Sequence, residues 1–168
     1  TRRCLAAIAY APTAIPYEVI VVDDGSTDES LQVIQSYGER IQVITQANAG
    51  ACVARNAALA RASGTAIQFL DSDDRIRPGK LEQQFATMEA KGLDLVLCQG
   101  MVFGDGKGMR PKGRRLSDPA GMDPLLYALE VGWATHGTLS RRSFIERVGG
   151  FNEQLPRGQE LDLHLRSG

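Results

Sequence analysis

Two clusters of acidic residues, each directly after a short apolar run, constrain the fold of this sequence most. The run at residues 17–22 ends at Asp23-Asp24, and the run at 66–70 ends at Asp71-Ser72-Asp73-Asp74. Short runs rich in β-branched and other apolar residues are typical of strands that are buried on both faces. The sequence therefore predicts two buried strands that each deliver carboxylates to one edge of a sheet.

Helical patterns separate these strands from one another. Further strands are predicted at 41–44 and 93–98, and helices at 26–37, 50–62 and 78–91. Ser26 and Glu29 fit the capping-box pattern, which predicts that the first of these helices begins there. The alternation of strands and helices predicts an α/β domain with a mostly parallel sheet.

The length of 168 residues favours a single domain, because about 150 residues per domain is typical. Residues 1–11 are predicted to form a helix, whereas a doubly wound domain usually opens with a strand. The sequence also stops directly after a polar segment at 159–166. We therefore expect both ends of the domain to be incomplete.

Composition excludes several classes of function. Nineteen Lys and Arg against twenty Asp and Glu leave a net charge of −1, so no basic field attracts nucleic acid or an anionic membrane. Three widely spaced cysteines form neither a disulfide framework nor a metal-binding pattern. No apolar run approaches the roughly 18 residues of a membrane span. These features predict a soluble, cytoplasmic protein with no nucleic-acid partner.

The acidic clusters lie where open α/β sheets bind ligands, beyond the carboxyl ends of the strands. Asp23 and Asp24 can accept hydrogen bonds from a base or a ribose, although a solvated turn explains them equally well. If the chain stays extended, Asp71 and Asp73 point to the same side. Their mutual repulsion favours a hard divalent cation, Mn²⁺ or Mg²⁺, over an acidic turn that caps the next helix.

Three other residues are candidates for the same site. Arg55 lies among small residues on the helix at 50–62, where it either snorkels to the surface or reaches a phosphate or a base. Glu160 lies in a segment that favours a short helix, although alternate leucines also fit a strand. It is either a surface carboxylate or a general base at a cleft. His136 is interpreted as a hydrogen-bonding residue of the core or of a cleft.

Taken in order, these segments resemble glycosyltransferase family 2, the inverting group with the A-type fold. The resemblance covers about residues 17–166. It implies a Rossmann-like nucleotide-diphospho-sugar transferase fold with a mostly parallel central sheet flanked by helices. It rests on five motifs: residues 18–28; Asn48-Ala49-Gly50 with Ala54-Arg55-Asn56; residues 69–74 with Pro78-Gly79; Arg141-Arg142-Ser143 with residues 148–151; and Gln159-Glu160-x-Asp162-Leu163-x-Leu165-Arg166.

The resemblance implies the roles of the donor-side residues. Asp23 and Asp24 hold the uracil or an equivalent base, with Asp24 favoured and Arg55 assisting. Asp71 and Asp73 form the Asp-x-Asp motif, in which Asp71 binds the ribose and both residues contact the metal on the diphosphate. The implied donor is a nucleoside-diphosphate sugar, most simply a UDP-sugar, and the implied cofactor is Mn²⁺ or Mg²⁺.

The resemblance also assigns the acceptor side. Glu160 takes the place of the catalytic base, which in this family is commonly the aspartate of a Glu-Asp pair; here the pair is Gln159-Glu160. Asp162, Arg166 and His136 are placed near a saccharide or lipid-linked acceptor. Residues 1–100 then form the nucleotide-binding half of one catalytic domain, and 101–168 form the acceptor-side half.

Two parts of the family pattern are absent from the sequence: the opening strand, which flanks the base, and the C-terminal helices, which often meet the membrane. Peripheral membrane association at the inner face is therefore expected only through residues outside this sequence. A surface-polysaccharide role fits the family.

Three alternative functions remain open. A non-catalytic sugar-nucleotide-binding module needs neither the base nor the absent segments. A sugar-phosphate nucleotidyltransferase would need an early glycine-rich loop, and none is visible. A signalling receiver domain would need a lysine near residue 100, but Leu97-Cys98-Gln99-Gly100 has none.

Overall fold

The first two strands pair in parallel, as expected for an α/β domain. The computed structural model describes residues 1–9, 13–103, 109–111, 135–155 and 157–166. After helix α1 (Arg2–Ala9), β1 (Ile20–Asp24) pairs with β2 (Gln42–Gln46), and Asp24 lies opposite Gln46. Helix α2 (Ser30–Gln35) and a short 3₁₀ turn (Gly38–Arg40) connect the two strands.

Three shorter strands form a second sheet that carries the later part of the chain. In chain order the elements are α3 (Ala51–Arg61), β3 (Ala66–Ile67), α4 (Lys80–Lys91), β4 (Leu95–Leu97), β5 (Met101–Val102), β6 (Arg110–Pro111), a 3₁₀ turn (Thr135–Gly137), β7 (Thr138–Arg141), α5 (Arg142–Arg147) and α6 (Gln159–Leu165). Strand β7 lies between β3 and β4 and is antiparallel to both, so β3 and β4 run in the same direction. Strands β5 and β6 form a separate antiparallel pair.

Two local predictions from the sequence are wrong. Helix α2 begins at Ser30 and not after Ser26, because the side chain of Asp28 accepts the backbone N–H of Ser30 at 2.9 Å. Strand β3 ends at Ile67, and the chain turns at the second acidic cluster, where the N–H of Asp74 donates to the carbonyl of Asp71 at 3.0 Å. The extended conformation that would point Asp71 and Asp73 to the same side is therefore not present.

Two apolar clusters hold the elements in place. One packs α3, α5 and α6 together through Cys52, Phe144, Ile145, Phe151 and Leu163. The other packs α1 and α2 near β1 through Leu5, Ile34, Tyr37 and Ile41. Because the first cluster joins α3 to α6, it brings residues that are about 100 positions apart in the sequence to one site.

We also find that, within the described ranges, none of the helices combines the length and the apolar character that crossing a bilayer requires.

Candidate active site

The carboxylate of Asp24 closes the loop in front of helix α3. Its Oδ1 accepts the N–H of Ala49 and the side-chain amide of Gln46, and its Oδ2 accepts the N–H of Gly50, each at 2.8 Å. These hydrogen bonds, led by that from Ala49, hold the pKa of Asp24 below its usual range. Asp24 therefore caps backbone donors that precede α3.

This loop passes close to the glycine that follows Asp24. Gly25 has φ = +76°, and a Cβ atom there would lie 2.8 Å from the backbone nitrogen of Asn48. Only glycine fits such an approach without strain. The Asp24-Gly25 pair is thus explained by the contact between two loops at the carboxyl end of β1.

We expect Asp24→Asn to lower the melting temperature by about 2–4 °C at pH 7, which corresponds to about 1 kcal/mol for a chain of this size. A carboxylate whose folded-state pKa is lowered stabilises the fold above its unfolded pKa, and this stability is lost as the pH falls through the folded value. The difference between wild type and variant should therefore close as the pH falls below about 4.

Glu18→Gln is the comparison for this prediction. Glu18 accepts the N–H and the hydroxyl of Ser63, which lower its pKa, and it lies at the other end of β1. Both variants should lose the acid-dependent stability, but only Asp24→Asn disrupts the hydrogen bonds that hold the loop in front of α3. Equal melting temperatures for wild type and Asp24→Asn at pH 7 would contradict the capping role.

Asp23 has a carboxylate oxygen without a described donor, whereas both oxygens of Asp24 accept hydrogen bonds. Its side chain is only 5% exposed, and its Oδ1 receives no hydrogen bond from any residue that the structure describes. A buried carboxylate oxygen without a donor is costly, so it favours a ligand that brings an N–H or O–H group. The resemblance favoured Asp24 for the base; which of the two carboxylates binds it stays a prediction.

Arg55 joins the two halves of the chain. Its Nη2 lies 2.9 Å from Asp71 Oδ1, and its Nη1 donates to Gln159 Oε1 at 2.8 Å and lies 3.3 Å from Glu160 Oε1. Its guanidinium lies 5.2 Å from the ring centroid of Phe151. The side chain is only 13% exposed, so it does not snorkel to the surface. Its described polar contacts are with these three side chains, and its contact with a nucleotide stays a prediction.

The second acidic cluster spreads its carboxylates among different partners. Asp71 pairs with Arg55, and Asp74 Oδ2 lies 2.7 Å from His136 Nδ1, whereas Asp73 is exposed. His136 therefore lies beside the second acidic cluster, and a Cβ on Gly100 would lie 2.6 Å from its Nε2. Among the described residues, no group of three or more His, Cys, Asp and Glu side chains could hold a metal ion.

Hard oxygen donors are nevertheless present at this edge. Mg²⁺ and similar ions are usually bound by one or two carboxylates, with phosphate oxygens and water completing the shell. Asp73 and the partly exposed Asp71 are carboxylates of the kind that such sites use, and their binding of a metal stays a prediction.

Glu160 lies at the first turn of α6, which confirms the helix predicted for this segment. Its Oε1 accepts the hydroxyl of Thr135 at 2.5 Å, and its side chain is 26% exposed. Since the carboxylate is held on one side by Thr135 and Arg55 but is still reached by solvent, it can meet an acceptor hydroxyl. Thr135 was not identified from the sequence, because it lies in an irregular stretch without a recognisable pattern.

Asp162 and Arg166 contact each other and the backbone. Asp162 Oδ2 lies 2.8 Å from Arg166 Nη2, and Arg166 donates to the carbonyls of Val148 and Gly150. This arrangement ties α6 to the end of α5. Their predicted proximity to the acceptor stays a prediction.

Comparison with known proteins places this geometry in context. The chain matches the sequence profile of glycosyl transferase family 2 over residues 1–149. It is 38% identical over 159 residues to an uncharacterized glycosyltransferase of Bacillus subtilis (strain 168), EpsJ, which covers 88% of this chain and 46% of EpsJ. The profile match ends before α6, so the assignment of Glu160 rests on the motif at 159–166 and on the contacts above.

Two solved structures share the fold. S. aureus TarS, residues 1–349, in complex with UDP-GlcNAc gives a TM-score of 0.74 at 24% identity over 98% of this chain and 48% of TarS. The mannosyltransferase PcManGT from Pyrobaculum calidifontis, in complex with GDP-Man and Mn²⁺, gives 0.57 at 20% identity over 88% of this chain and 41% of that one. These likenesses confirm the predicted fold class. The chain spans less than half the length of each of these proteins.

Proposed function

The chain belongs to glycosyl transferase family 2, and on that premise we propose that it transfers a sugar from a nucleoside-diphosphate sugar to an acceptor hydroxyl with inversion at the anomeric carbon. The observation that carries this proposal is the bridge made by Arg55. One guanidinium holds Asp71, from the proposed donor half, and Glu160, from the proposed acceptor half. A donor and an acceptor bound at these two carboxylates would meet beside Arg55.

In the proposed reaction Glu160 acts as the general base. The acceptor hydroxyl attacks the anomeric carbon in line and gives its proton to the Glu160 carboxylate as the new C–O bond forms. The bond between the anomeric carbon and the diphosphate oxygen breaks, and its electron pair leaves with the nucleoside diphosphate. A single displacement of this kind inverts the configuration.

The nucleotide would be held at the carboxyl end of β1. The buried Oδ1 of Asp23 can accept an N–H from a base, and a uracil carries one such group beside its carbonyls. A UDP-sugar is therefore the donor that we favour. Asp71 pairs with Arg55 but its side chain is 47% exposed, so it can still accept hydroxyls of the ribose.

Asp73 and Asp71 would hold a divalent ion, Mn²⁺ or Mg²⁺, on the diphosphate. When bound, such an ion neutralises the charge that develops on the leaving group. The residues of the chain contribute hard oxygen ligands only, which suits these two ions better than softer metals.

We propose a saccharide or a lipid-linked molecule as the acceptor, reached from the side of Glu160 and His136. We also propose a cytoplasmic location. All three cysteines are free thiols, with Cys4 and Cys52 buried, which suits a reducing compartment.

The metal site is tested by Asp73→Asn with UDP titrated calorimetrically in the presence and absence of Mn²⁺. We expect Mn²⁺ to increase the affinity of the wild type for UDP. In the variant this increase should be at least about tenfold smaller, because an amide does not neutralise the ion. The fold should persist, since the side chain of Asp73 is exposed.

Asp94→Asn is the matched control for this experiment. Asp94 is also an exposed carboxylate, but it pairs with Arg147 on the surface, away from the acidic cluster. It should leave the effect of Mn²⁺ unchanged. If Asp73→Asn binds UDP with the metal dependence of the wild type, Asp73 does not belong to the site.

A further inference from the structure

A series of hydrogen bonds connects Glu160 to residues that have no part in the reaction described above. Glu160 Oε1 accepts the hydroxyl of Thr135 at 2.5 Å, and the Thr135 carbonyl accepts Gln68 Nε2 at 3.1 Å. Gln68 Oε1 in turn accepts the ammonium of Lys80. Thr135 is itself buried. Glu160 is thus connected through two neutral groups to a cation on a different helix.

Lys80 fixes the orientation of the Gln68 amide in this series of hydrogen bonds. An ammonium can only donate hydrogen bonds, so the atom of Gln68 that faces Lys80 must be the amide oxygen, and the NH₂ group must face Thr135. Gln68 Nε2 also donates to the carbonyl of Phe69 at 2.5 Å. The amide of Gln68 therefore has one orientation, and the segment that carries Thr135 is held at a defined distance from β3.

The position of Lys80 is costly for the fold. Burial lowers the pKa of Lys80 to about 8. The residue also opens helix α4, where the helix macrodipole disfavours a cation. Sequences depart from local rules of this kind mainly at functional sites.

We propose that Thr135 is a positioning residue for Glu160, held in place by Gln68, and this inference rests on the proposed role of Glu160 as the base. A glutamate side chain has three rotatable bonds, and ordering it costs up to about 1.5–2 kcal/mol. Oε1 accepts the hydroxyl of Thr135 and lies 3.3 Å from Nη1 of Arg55, so a hydrogen bond and an ion pair at one oxygen restrict the rotation of the carboxylate. A β-branched side chain suits this task because its χ1 angle is restricted.

The role is tested with Thr135→Val, which keeps the shape but removes the hydroxyl, and with Thr135→Ser, which keeps the hydroxyl. In the full-length protein we expect Thr135→Val to lower kcat about 10–100-fold, since a misplacement of about 1 Å can cost that much. The Kd for UDP should change less than threefold. Thr135→Ser should retain kcat within about threefold, and Gln68→Leu should lower it in the same way as Thr135→Val.

Glu160→Gln, measured in parallel, separates the inference from the proposed function. If Thr135 acts only through Glu160, adding Thr135→Val to Glu160→Gln should cause no further loss of kcat. Normal kcat in Thr135→Val or in Gln68→Leu overturns the inference, as do equal losses in the Val and Ser variants. Normal kcat in Glu160→Gln overturns the proposed role of Glu160 as the base.

Discussion

Replacing Glu160 by glutamine should lower turnover about 10²–10⁴-fold and leave the affinity for the donor within a few-fold of wild type. Glutamine keeps the length and the hydrogen-bonding shape of the side chain, so it can still accept the hydroxyl of Thr135. It cannot take a proton from the acceptor, and general-base catalysis typically contributes this factor. Because the lost interaction forms only in the transition state, kcat falls without a matching change in binding.

The measurement is the release of UDP from a UDP-sugar in the full-length protein, with UDP binding followed by calorimetry. Asp162→Asn is the control, since Asp162 lies two residues away on α6 but pairs with Arg166. We expect it to lower the melting temperature, because Arg166 ties α6 to the carbonyls of Val148 and Gly150. If Glu160→Gln kept normal turnover and Asp162→Asn abolished it without unfolding, Asp162 would be the base.

Local sequence patterns predict the first half of the fold well. The parallel pair β1–β2, helix α3 and the end of helix α4 before Gly92 lie close to where periodicity and helix-stop residues place them. Strand β7 was not predicted, because its place between β3 and β4 depends on pairing with residues more than 40 positions away. Non-local pairing of this kind leaves no periodic signal in four residues.

The candidate site, like the fold, was predicted from the sequence only in part. The carboxylates beyond β1 and β3, Arg55 and Glu160 are identified from residue type, position and resemblance. Their contacts could not be identified from the sequence, because the bridge from Asp71 to Glu160 depends on α3 packing against α6. Thr135 was not singled out, because a lone threonine before a histidine carries no information until Glu160 lies beside it.

Arg55→Met should lower kcat/KM by at least about 10²-fold, which corresponds to about 2.7 kcal/mol. Truncating one partner of a buried, hydrogen-bonded charge pair typically costs about 2–5 kcal/mol, and the lower end applies here because Asp71 is 47% exposed. Without the guanidinium, the negative charges of Asp71 and Glu160 remain in a site that must also bind a negatively charged diphosphate. The affinity for UDP and kcat should therefore both fall. Arg55→Lys should recover little, because one ammonium cannot span Asp71, Gln159 and Glu160 as the planar guanidinium does.

Arg147→Met is a closely matched control for this change. Arg147 also pairs with a carboxylate, Asp94 at 2.8 Å, and lies over a ring, that of Phe144 at 5.5 Å, but its side chain is 61% exposed. Exposed pairs of this kind contribute about 0–1 kcal/mol, so kcat/KM and stability should hardly change. Arg55→Met should itself lower the free energy of unfolding by only about 2 kcal/mol, because Asp71 is 47% exposed and solvent screens the pair. A loss of stability with normal kcat/KM would mean that Arg55 only holds α3 to α6, and the two carboxylates would then not form one site.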